Sequence, residues 1–342
     1  MTNTLSMLRA WRFTRSGPSA IVGAPVPIRR RLLLSVLLGM ITGAVTLQRI
    51  LNSPLPRDFG QVWFAARSIL AGLNPYALVG PHLAYDWPWP LLYPLPAAII
   101  AIPLSPFPLP IATVLFSTLA GMAFAWALME YGYGPLFGFF SGSVHMAAEA
   151  AQWSPLLAAA VVVPPLSIFL IAKPTIGAAI FFARPSRWAI GGGVVLAAIA
   201  FAVQPTWLMD WLGAIAQNNR QWAPNRPYQA PLLYPGGILA LAALARWRRP
   251  EARLIAALAC VPQTTMQYEA VPLFLVPRTF VESAILVACS YAQHFFGRYL
   301  VSSMPTPEEH LQLSGRWLAL VMYIPVTIMV LRRPNEAPPS EK

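Results

Sequence analysis

The sequence predicts an all-α polytopic membrane protein, a bundle with about ten membrane segments. Hydrophobic residues make up 57% of the 342-residue chain and charged residues only 11%, whereas soluble globular proteins carry about 25% charged residues. The mean hydropathy is +0.56, so most of the chain is expected to lie in lipid. Many arginines fall in short clusters between apolar runs, as in cytoplasmic loops. We therefore attribute the net charge of +12 to membrane topology and expect no nucleic-acid partner.

The arginine clusters predict one membrane domain with both termini in the cytoplasm. Residues 1–31 form a basic cytoplasmic segment, because six arginines precede the first apolar run at residues 32–51. The membrane domain occupies residues 32–331, and residues 332–342 form a short cytoplasmic tail. Polar and aromatic stretches predict three outer loops, at about residues 52–87, 204–230 and 293–313.

The first outer loop is predicted to contain an amphipathic helix that lies at the membrane surface. Apolar residues recur at helical spacing over residues 59–73, while polar residues such as Arg67 take the opposite face. A helix of this kind lies in the interface with its apolar face toward the acyl chains. Gly72 predicts the end of the helix, and Asn74-Pro75 predicts a turn.

The next two spans are predicted at residues 87–104 and 111–130, joined by a short turn. The first of them contains Pro90, Pro94, Pro96 and Pro103, which break backbone hydrogen bonds that within lipid only protein or a wet cavity can replace. Residues 131–151 are partly polar, and their placement stays open between a helix on the outer surface and a segment that enters the membrane. Later apolar runs bring the count to about ten, although proline-broken segments are shorter than the ~20 residues of a full span.

Asp58 is a candidate general base, because it is a lone carboxylate just beyond the first predicted span and beside a stretch rich in Trp and Tyr. A carboxylate there can take the proton from an acceptor hydroxyl while a sugar carbon is attacked. An Asp directly before Phe59-Gly60-Gln61 is also a favoured helix N-cap. The two roles are compatible, and the residue pattern alone leaves both open.

The aromatic, proline-rich stretch after this helix offers candidates for sugar binding. Trp87 and Tyr93 can stack on sugar faces, and Asp86 can bind sugar hydroxyls. The alternative for the aromatic residues is a belt at the membrane interface. The alternative for Asp86 is a turn residue before the Trp-Pro pair.

Two charged residues lie within apolar stretches, where a charge is costly and indicates function by default. Lys173 can pair with a substrate phosphate, or its side chain can extend to cytoplasmic headgroups near Arg184. Glu269 can pair with a basic group or line an acceptor groove, and a structural ion pair is the alternative. The outer loops add cationic candidates for stabilising a leaving phosphate: Arg220, Arg226, His294, Arg298 and His310.

The motifs of the first outer loop resemble those of the family 87 glycosyltransferases, which belong to the membrane-embedded class C. The resemblance rests on Asp58 before an aromatic-rich helix, on Ala-Gly-Leu-Asn-Pro-Tyr at residues 71–76, and on Leu-Leu-Tyr-Pro-Leu-Pro-Ala at residues 91–97. Gln-Trp-Ser-Pro at residues 152–155 and Lys-Pro at residues 173–174 resemble a helix start and a Lys-Pro pair of that family. The resemblance covers most of residues 32–331.

The resemblance implies a class C glycosyltransferase-like helical bundle that uses a polyprenyl-phosphate-linked sugar, with mannose as the first candidate. The implied acceptor is a hydroxyl of a glycan or glycolipid on the outer face of the bacterial plasma membrane, and membrane lipids surround the chain. Asp58 maps onto the catalytic acid of the family. The candidate substrate-binding residues are Asp86, Trp87, Tyr93, Gln152, Lys173 and Glu269.

Two other functions stay open at this point. A non-catalytic membrane subunit can retain the same fold, and its sign would be an Asp58 that only caps a helix. A transporter of a lipid-linked precursor also uses intramembrane charges and broken helices, but the sequence shows no matching halves. The sequence contains no Asp-x-Asp motif and no cluster of histidines, so we expect neither a metal nor another cofactor.

Overall fold

The all-α fold class is confirmed by the computed structural model, which describes residues 26–53, 57–221, 229–264, 266–299 and 307–335. Of the residues described, 76% are helical. In the part of the chain described, β-structure is limited to one parallel pair of two-residue strands, β1 (Val79–Gly80) and β2 (Tyr85–Asp86).

Thirteen α-helices occur in the described ranges, and many of them are short. In chain order they are α1 (Ile28–Asn52), α2 (Phe59–Leu70), α3 (Leu95–Ala101), α4 (Leu109–Leu128), α5 (Gly142–Glu149), α6 (Ser154–Ala159), α7 (Pro174–Ala183), α8 (Arg187–Val203), α9 (Trp207–Gln221), α10 (Pro250–Cys260), α11 (Phe280–Tyr299), α12 (Pro307–Leu318) and α13 (Ile324–Leu331). Proline occupies the first or second position of α3, α4, α6, α7, α10 and α13. Proline suits the first turn, where its missing N–H is not needed, and it therefore starts these helices.

Short 3-10 helices fill much of the remaining chain. They are Pro75–Ala77, Ile102–Leu104, Met129–Tyr131, Gly134–Phe140, Pro164–Ala172, Pro231–Leu233, Gly237–Arg246 and Gln267–Leu275. A π-helical turn at Ala319–Tyr323 joins α12 to α13. Such a bundle of broken segments is expected in a chain of 36 prolines, most of which lie within the membrane domain.

Three helices of the described chain are long and apolar enough to cross a membrane: Ile28–Asn52, Leu109–Tyr131 and Gln312–Leu331. A fourth candidate is the pair Arg187–Val203 and Trp207–Arg220, which is bent by 93° at its break. These helices support membrane association. The larger number of about ten segments stays a prediction, because the other apolar helices are shorter.

The first spanning helix packs antiparallel against α4. Arg31, at the start of α1, donates to the Glu130 carboxylate just after α4 at 2.9 Å. Along the interface, Gly39 and Gly43 face Thr118 of α4. Small residues allow the two backbones to approach closely, as is common between helices in lipid.

The predicted second span is wrong in its course. The helix from Leu95 to Leu104 has ten residues, about 15 Å at 1.5 Å per residue, against the ~30 Å of a hydrocarbon core. The turn after it returns to α2, where Trp63 Nε1 donates to the Phe107 carbonyl at 3.2 Å. Residues 87–108 therefore begin and end at the same end of the bundle. This is the end where α1 finishes and where α4 begins. Apolar composition predicted the segment, but it does not reveal whether a short segment crosses or turns back.

Residues 131–151, whose placement the sequence left open, run along the depth of the bundle beside α1. At one end, the Val26 N–H contacts the Met129 carbonyl at 3.5 Å. At the other end, Thr46 Oγ1 donates to the Ala148 carbonyl at 2.8 Å, and Arg49 lies 3.8 Å from Glu149. The segment thus passes from the level where α1 begins to the level where it ends, and it delivers the chain to Asp58.

A buried cluster of charges closes the end of the bundle where α1 begins, and we call it the basic end. Glu251 Oε1 lies 3.2–3.4 Å from the guanidinium groups of Arg249, Arg278 and Arg333. The Arg278 guanidinium lies 3.2 Å above the ring centre of Tyr131. Residues near the end of α13 and near the end of α4 therefore meet on the side where Arg31 pairs with Glu130.

The opposite end is covered by α2, α9 and the loop between β2 and α3. The Trp211 indole N–H donates to the Leu92 carbonyl at 2.9 Å, and the Leu92 N–H donates to Gln61 Oε1 at 3.2 Å. Asn74 Nδ2 donates to the Asp210 carboxylate at 3.1 Å. These contacts hold the loop before Tyr93 between α2 and α9.

Candidate active site

Asp58 lies at the junction between α1 and α2 and is held there by its backbone. Its N–H donates to the Ala150 carbonyl at 3.0 Å, and its carbonyl accepts from the Gln61 N–H at 3.3 Å. Asp58 is positioned as the N-cap of α2, but among the described residues its side chain makes no capping hydrogen bond. The carboxylate is therefore available for contacts outside its own helix.

That carboxylate contacts Gln152, whose Nε2 donates to Asp58 Oδ2. Gln152 is buried, with 2% of its surface exposed. It directly follows Ala151, a residue with φ of +50°. The Gln152 N–H donates to the Ala147 carbonyl at 2.9 Å, and the Ala151 N–H donates to the Ala148 carbonyl at 3.2 Å. This is the Schellman ending of α5, in which glycine is the usual left-handed residue.

Lys173 and Glu269 complete a chain of polar contacts that begins at Asp58. Lys173 Nζ donates to Gln152 Oε1 at 3.0 Å and lies 2.9 Å from Glu269 Oε1. The Lys173 side chain is 15% exposed and that of Glu269 is 3% exposed. Thr264 Oγ1 donates to the same Glu269 oxygen at 3.2 Å. We refer to Asp58, Gln152, Lys173 and Glu269 as the Asp58 cluster.

The Lys-Pro pair explains how the chain presents Lys173 at this point. Lys173 has φ of −137° and ψ of 85° and stands directly before α7, because a residue before proline avoids the helical region. The 3-10 helix Pro164–Ala172 ends at the same residue. Lys173 thus lies at the break between two short helices, where its side chain reaches Gln152. The alternative of a headgroup contact near Arg184 does not apply to this conformation.

The environment raises the pKa of Asp58, which lies outside the spanning helices, to about 6. Burial of the carboxylate is the largest cause, because desolvation disfavours the charged form. The charge of Lys173 and the hydrogen bond from Gln152 lower the pKa, whereas the charge of Glu269 raises it further. As a whole residue Asp58 is half-buried, so part of it remains in contact with solvent although its carboxyl group is desolvated. A base with a pKa close to neutral is suited to proton transfer.

Two tyrosines border the Asp58 cluster. Lys173 Nζ lies 5.1 Å from the ring centre of Tyr268, within the range of a cation–π contact. Tyr93 is 8% exposed, and the charges of Asp58 and Glu269 act on its hydroxyl. Tyr93 therefore lies near the Asp58 cluster, and its role in substrate binding stays a prediction. The sequence pattern assigned no role to Tyr268 or Thr264, because a single tyrosine or threonine outside a motif gives no signal.

Trp87 and Asp86 have structural positions of a different kind. Trp87 is 3% exposed and its ring covers Gly60 in the first turn of α2, so it supports the helix that carries Asp58. A side chain at position 60 would meet that ring directly. Asp86 is exposed, and its Oδ1 accepts from the His82 N–H at 2.8 Å. Asp86 thus acts as the turn residue that the sequence offered as its alternative role.

The cationic candidates of the outer loops are not part of the Asp58 cluster in the residues that can be described. Arg220 is exposed near the end of α9. His294 Nδ1 lies 3.0 Å from Gln267 Nε2. Arg226 and the side chains of Arg298 and His310 lie outside the described residues. In those ranges, no group of three or more His, Cys, Asp or Glu residues is arranged to hold a metal ion.

Comparison with known proteins adds no assignment to this geometry. The chain matches no protein-family model, no curated protein and no solved structure. The family resemblance of its motifs therefore stays a prediction.

Proposed function

We propose that the protein is a membrane glycosyltransferase that moves a sugar, with mannose as the first candidate, from a polyprenyl-phosphate donor to a hydroxyl of a glycan or glycolipid. Asp58 is the general base. The observation that carries the proposal is the position of the Asp58 carboxylate. It does not cap α2 but contacts Gln152 in a desolvated polar cluster, just beyond the end of α1. A helix cap alone does not require that arrangement.

The proposed reaction is one displacement at the anomeric carbon. The acceptor oxygen forms a bond to that carbon while the bond from the carbon to the phosphate oxygen breaks, and the phosphate leaves with the electron pair. Asp58 takes the proton of the acceptor hydroxyl as its oxygen attacks. Attack opposite the leaving group predicts inversion at the anomeric carbon.

Lys173 is the described cation best placed to stabilise charge near this base. An ammonium group has three donors and no acceptor. Two of these donors are used by Gln152 and Glu269, at 3.0 Å and 2.9 Å. A phosphate oxygen bound by the third would receive a preorganised positive charge as the donor bond breaks.

The location that fits this chemistry is the bacterial plasma membrane, with the Asp58 cluster near its outer face. Arginines gather at the basic end, and the positive-inside rule places such an end in the cytoplasm. The contacts of Arg31 with Glu130 and of Arg333 with Glu251 are at that end. Both termini are then cytoplasmic, and lipid-linked substrates reach Asp58 from the outer leaflet.

The test is transfer of radiolabelled mannose from polyprenyl-phosphate-mannose by purified protein in lipid vesicles that contain a glycolipid acceptor. Asp58→Asn keeps the size of the side chain, and we expect a folded protein with at least a hundredfold lower transfer, about the contribution of a positioned general base. Glu130→Gln neutralises a carboxylate at the basic end and is expected to transfer as the wild type does. Equal activity of Asp58→Asn and wild type removes Asp58 as the base.

A panel of polyprenyl-phosphate sugars separates a wrong sugar from a wrong function. If the wild type uses another sugar of the panel, the proposed activity stands with a different donor. If it uses none, while it remains folded in vesicles, the glycosyltransferase proposal is overturned. A non-catalytic subunit or a transporter then becomes the better account.

A further inference from the structure

Gln152 connects the two charged parts of the Asp58 cluster. Its amide oxygen accepts from Lys173 Nζ at 3.0 Å, and its amide nitrogen donates to Asp58 Oδ2. The side chain is 2% exposed, so water does not replace either partner. Both ends of one amide are therefore committed to neighbours that carry opposite charges.

The chemistry of the neighbours fixes which way the amide faces. A lysine ammonium can only donate, so the group that Gln152 turns toward Lys173 must be its oxygen. The amide nitrogen then necessarily faces Asp58, and it can only donate to a carboxylate oxygen. Glu269 holds Lys173 in place from the other side at 2.9 Å. A reversed Gln152 would place two donors against Lys173 and an oxygen against the carboxylate.

We propose that Gln152 is a positioning residue that assigns different tasks to the two oxygens of Asp58, with Oδ2 held by the amide and Oδ1 left to take the proton of the acceptor hydroxyl. This inference rests on the proposed transferase function and deepens it. In the reaction, the acceptor O–H bond breaks and its proton forms a bond to Oδ1. The acceptor oxygen bonds to the sugar, and the phosphate departs with the electrons of its bond to the anomeric carbon.

Several groups act on Asp58 and decide how its titration responds to a change at Gln152. Lys173, Arg57 and the Gln152 hydrogen bond favour the ionised carboxylate, and Glu269 opposes it. The charge of the same carboxylate also acts on the buried hydroxyl of Tyr93, in the loop before α3. Because Gln152 donates to the ionised form, its loss raises the pKa of Asp58 above the value of about 6 found with the amide present.

The experiment compares Gln152→Met and Gln152→Glu with the wild type in two measurements. The first is the pH dependence of mannose transfer from polyprenyl-phosphate-mannose, whose acid side reports the protonation of the base. The second is the infrared carbonyl stretch of the protonated Asp58 carboxyl, obtained as the difference between each protein and the same protein carrying Asp58→Asn. The second measurement does not depend on the donor sugar.

Gln152→Met has a similar length but cannot donate. We expect its Asp58 titration to move upward by about one pH unit and its transfer at high pH to fall by about ten- to a hundredfold, because the carboxylate is no longer oriented. Gln152→Glu can still accept from Lys173 but places a second carboxyl against Asp58. In this variant the pair of carboxyl groups is expected to hold one proton to a still higher pH than in Gln152→Met, and mannose transfer at neutral pH is expected to be absent.

Gln267→Met is the matched control, because Gln267 is also 2% exposed and its amide contacts the Gly142 carbonyl and His294 instead of Asp58. A loss caused only by removal of a buried amide appears in both Met variants, whereas the titration shift appears only at Gln152. If folded Gln152→Met keeps the wild-type titration and rate while Asp58→Asn is inactive, the inference is overturned and the transferase proposal stands. If Asp58→Asn transfers as well as the wild type, the base assignment itself fails.

Discussion

Lys173 and Glu269 form a buried ion pair at 2.9 Å, although 95 other residues of the chain lie between them. Glu269 Oε1 also accepts from Thr264, while in the described chain its Oε2 is buried without a hydrogen-bond partner. A buried pair gains Coulomb energy at a large desolvation cost and is weak evidence for stability by itself. Its contact with Gln152 connects the pair to Asp58, which indicates a role in shaping the surroundings of that carboxylate.

Removing one partner of this pair is expected to destabilise the protein more than removing both charges. Lys173→Met leaves the Glu269 carboxylate buried and uncompensated, which costs about 3–5 kcal/mol in the free energy of unfolding. The double variant Lys173→Met/Glu269→Gln removes both charges of the pair and is expected to lie within about 1 kcal/mol of the wild type. Chemical unfolding in detergent micelles measures both. A double variant as unstable as Lys173→Met would show that the ion pair is needed for folding.

The titration of Asp58 predicts a pH-dependent stability difference between the wild type and Asp58→Asn. The folded pKa of about 6 lies above the ordinary 3.8, so between these values the folded protein binds more protons than the unfolded chain. The wild type then loses stability as pH rises from about 4 to 6. Asp58→Asn lacks this loss and is expected to have the higher melting temperature at pH 8, with the advantage vanishing near pH 4.

A constant difference across this pH range would mean that Asp58 has an ordinary pKa in the folded protein. The Glu130→Gln variant serves as the reference for the effect of neutralising a carboxylate. Its carboxylate is 40% exposed and pairs with Arg31, so its removal is expected to cost less than about 1 kcal/mol.

The left-handed conformation of Ala151 predicts that substitution by glycine does not destabilise the protein. Its φ of +50° costs a residue with a Cβ about 1–2 kcal/mol, and glycine avoids that cost at the expense of about 0.4–1 kcal/mol of unfolded-chain entropy. Ala151→Gly should therefore leave the free energy of unfolding unchanged or raise it slightly. Ala148→Gly, within α5, should lower it by about 1 kcal/mol. Equal losses at the two positions would contradict the left-handed conformation of Ala151.

The basic end predicts a loss of stability when its central carboxylate is neutralised. Burial raises the pKa of Glu251, but Arg278, Arg333 and Arg249 outweigh it, and the net pKa is lowered from 4.5. Its stabilising contribution is therefore complete above pH 4.5 and is lost as pH falls through the lower folded pKa. Glu251→Gln is expected to lower the free energy of unfolding by about 3–5 kcal/mol at pH 7.

The decisive measurement for this carboxylate is the same comparison in acid, where the wild-type Glu251 is itself protonated. The two proteins should then unfold at similar denaturant concentrations. A difference that persists undiminished at low pH would assign the effect to packing instead of charge.

Much of the candidate site could be identified from the sequence, because charged residues are rare within apolar segments and at their ends. Lys173 and Glu269 stand out as charges within apolar runs, and Asp58 stands out at the end of a span. The structure brings these three residues together through Gln152, which was selected only by motif resemblance. Asp86 fits its alternative as a turn residue, since a carboxylate near aromatic residues has the same local pattern in both roles.

The course of the chain was harder to predict than the identity of its polar residues. Hydropathy indicates that residues 87–104 are apolar, but a proline-broken segment of this length can cross the bilayer or return. Contacts over long sequence distances decide between these paths, such as Trp63 with Phe107. The left-handed backbone conformation of Ala151 could not be predicted from the sequence either, because alanine normally favours right-handed helices.

The Asp58 cluster draws on four separate segments, and its members follow one another in the chain at positions 58, 152, 173 and 269. During synthesis from the N-terminus, Asp58 is the first of them to be made and Glu269 the last. The carboxylate therefore stays without its lysine and its orienting amide until later helices have been inserted beside it. A nascent or truncated chain that ends before residue 173 contains Asp58 but lacks the surroundings that tune it, so the assembled environment of the base is a late product of biogenesis.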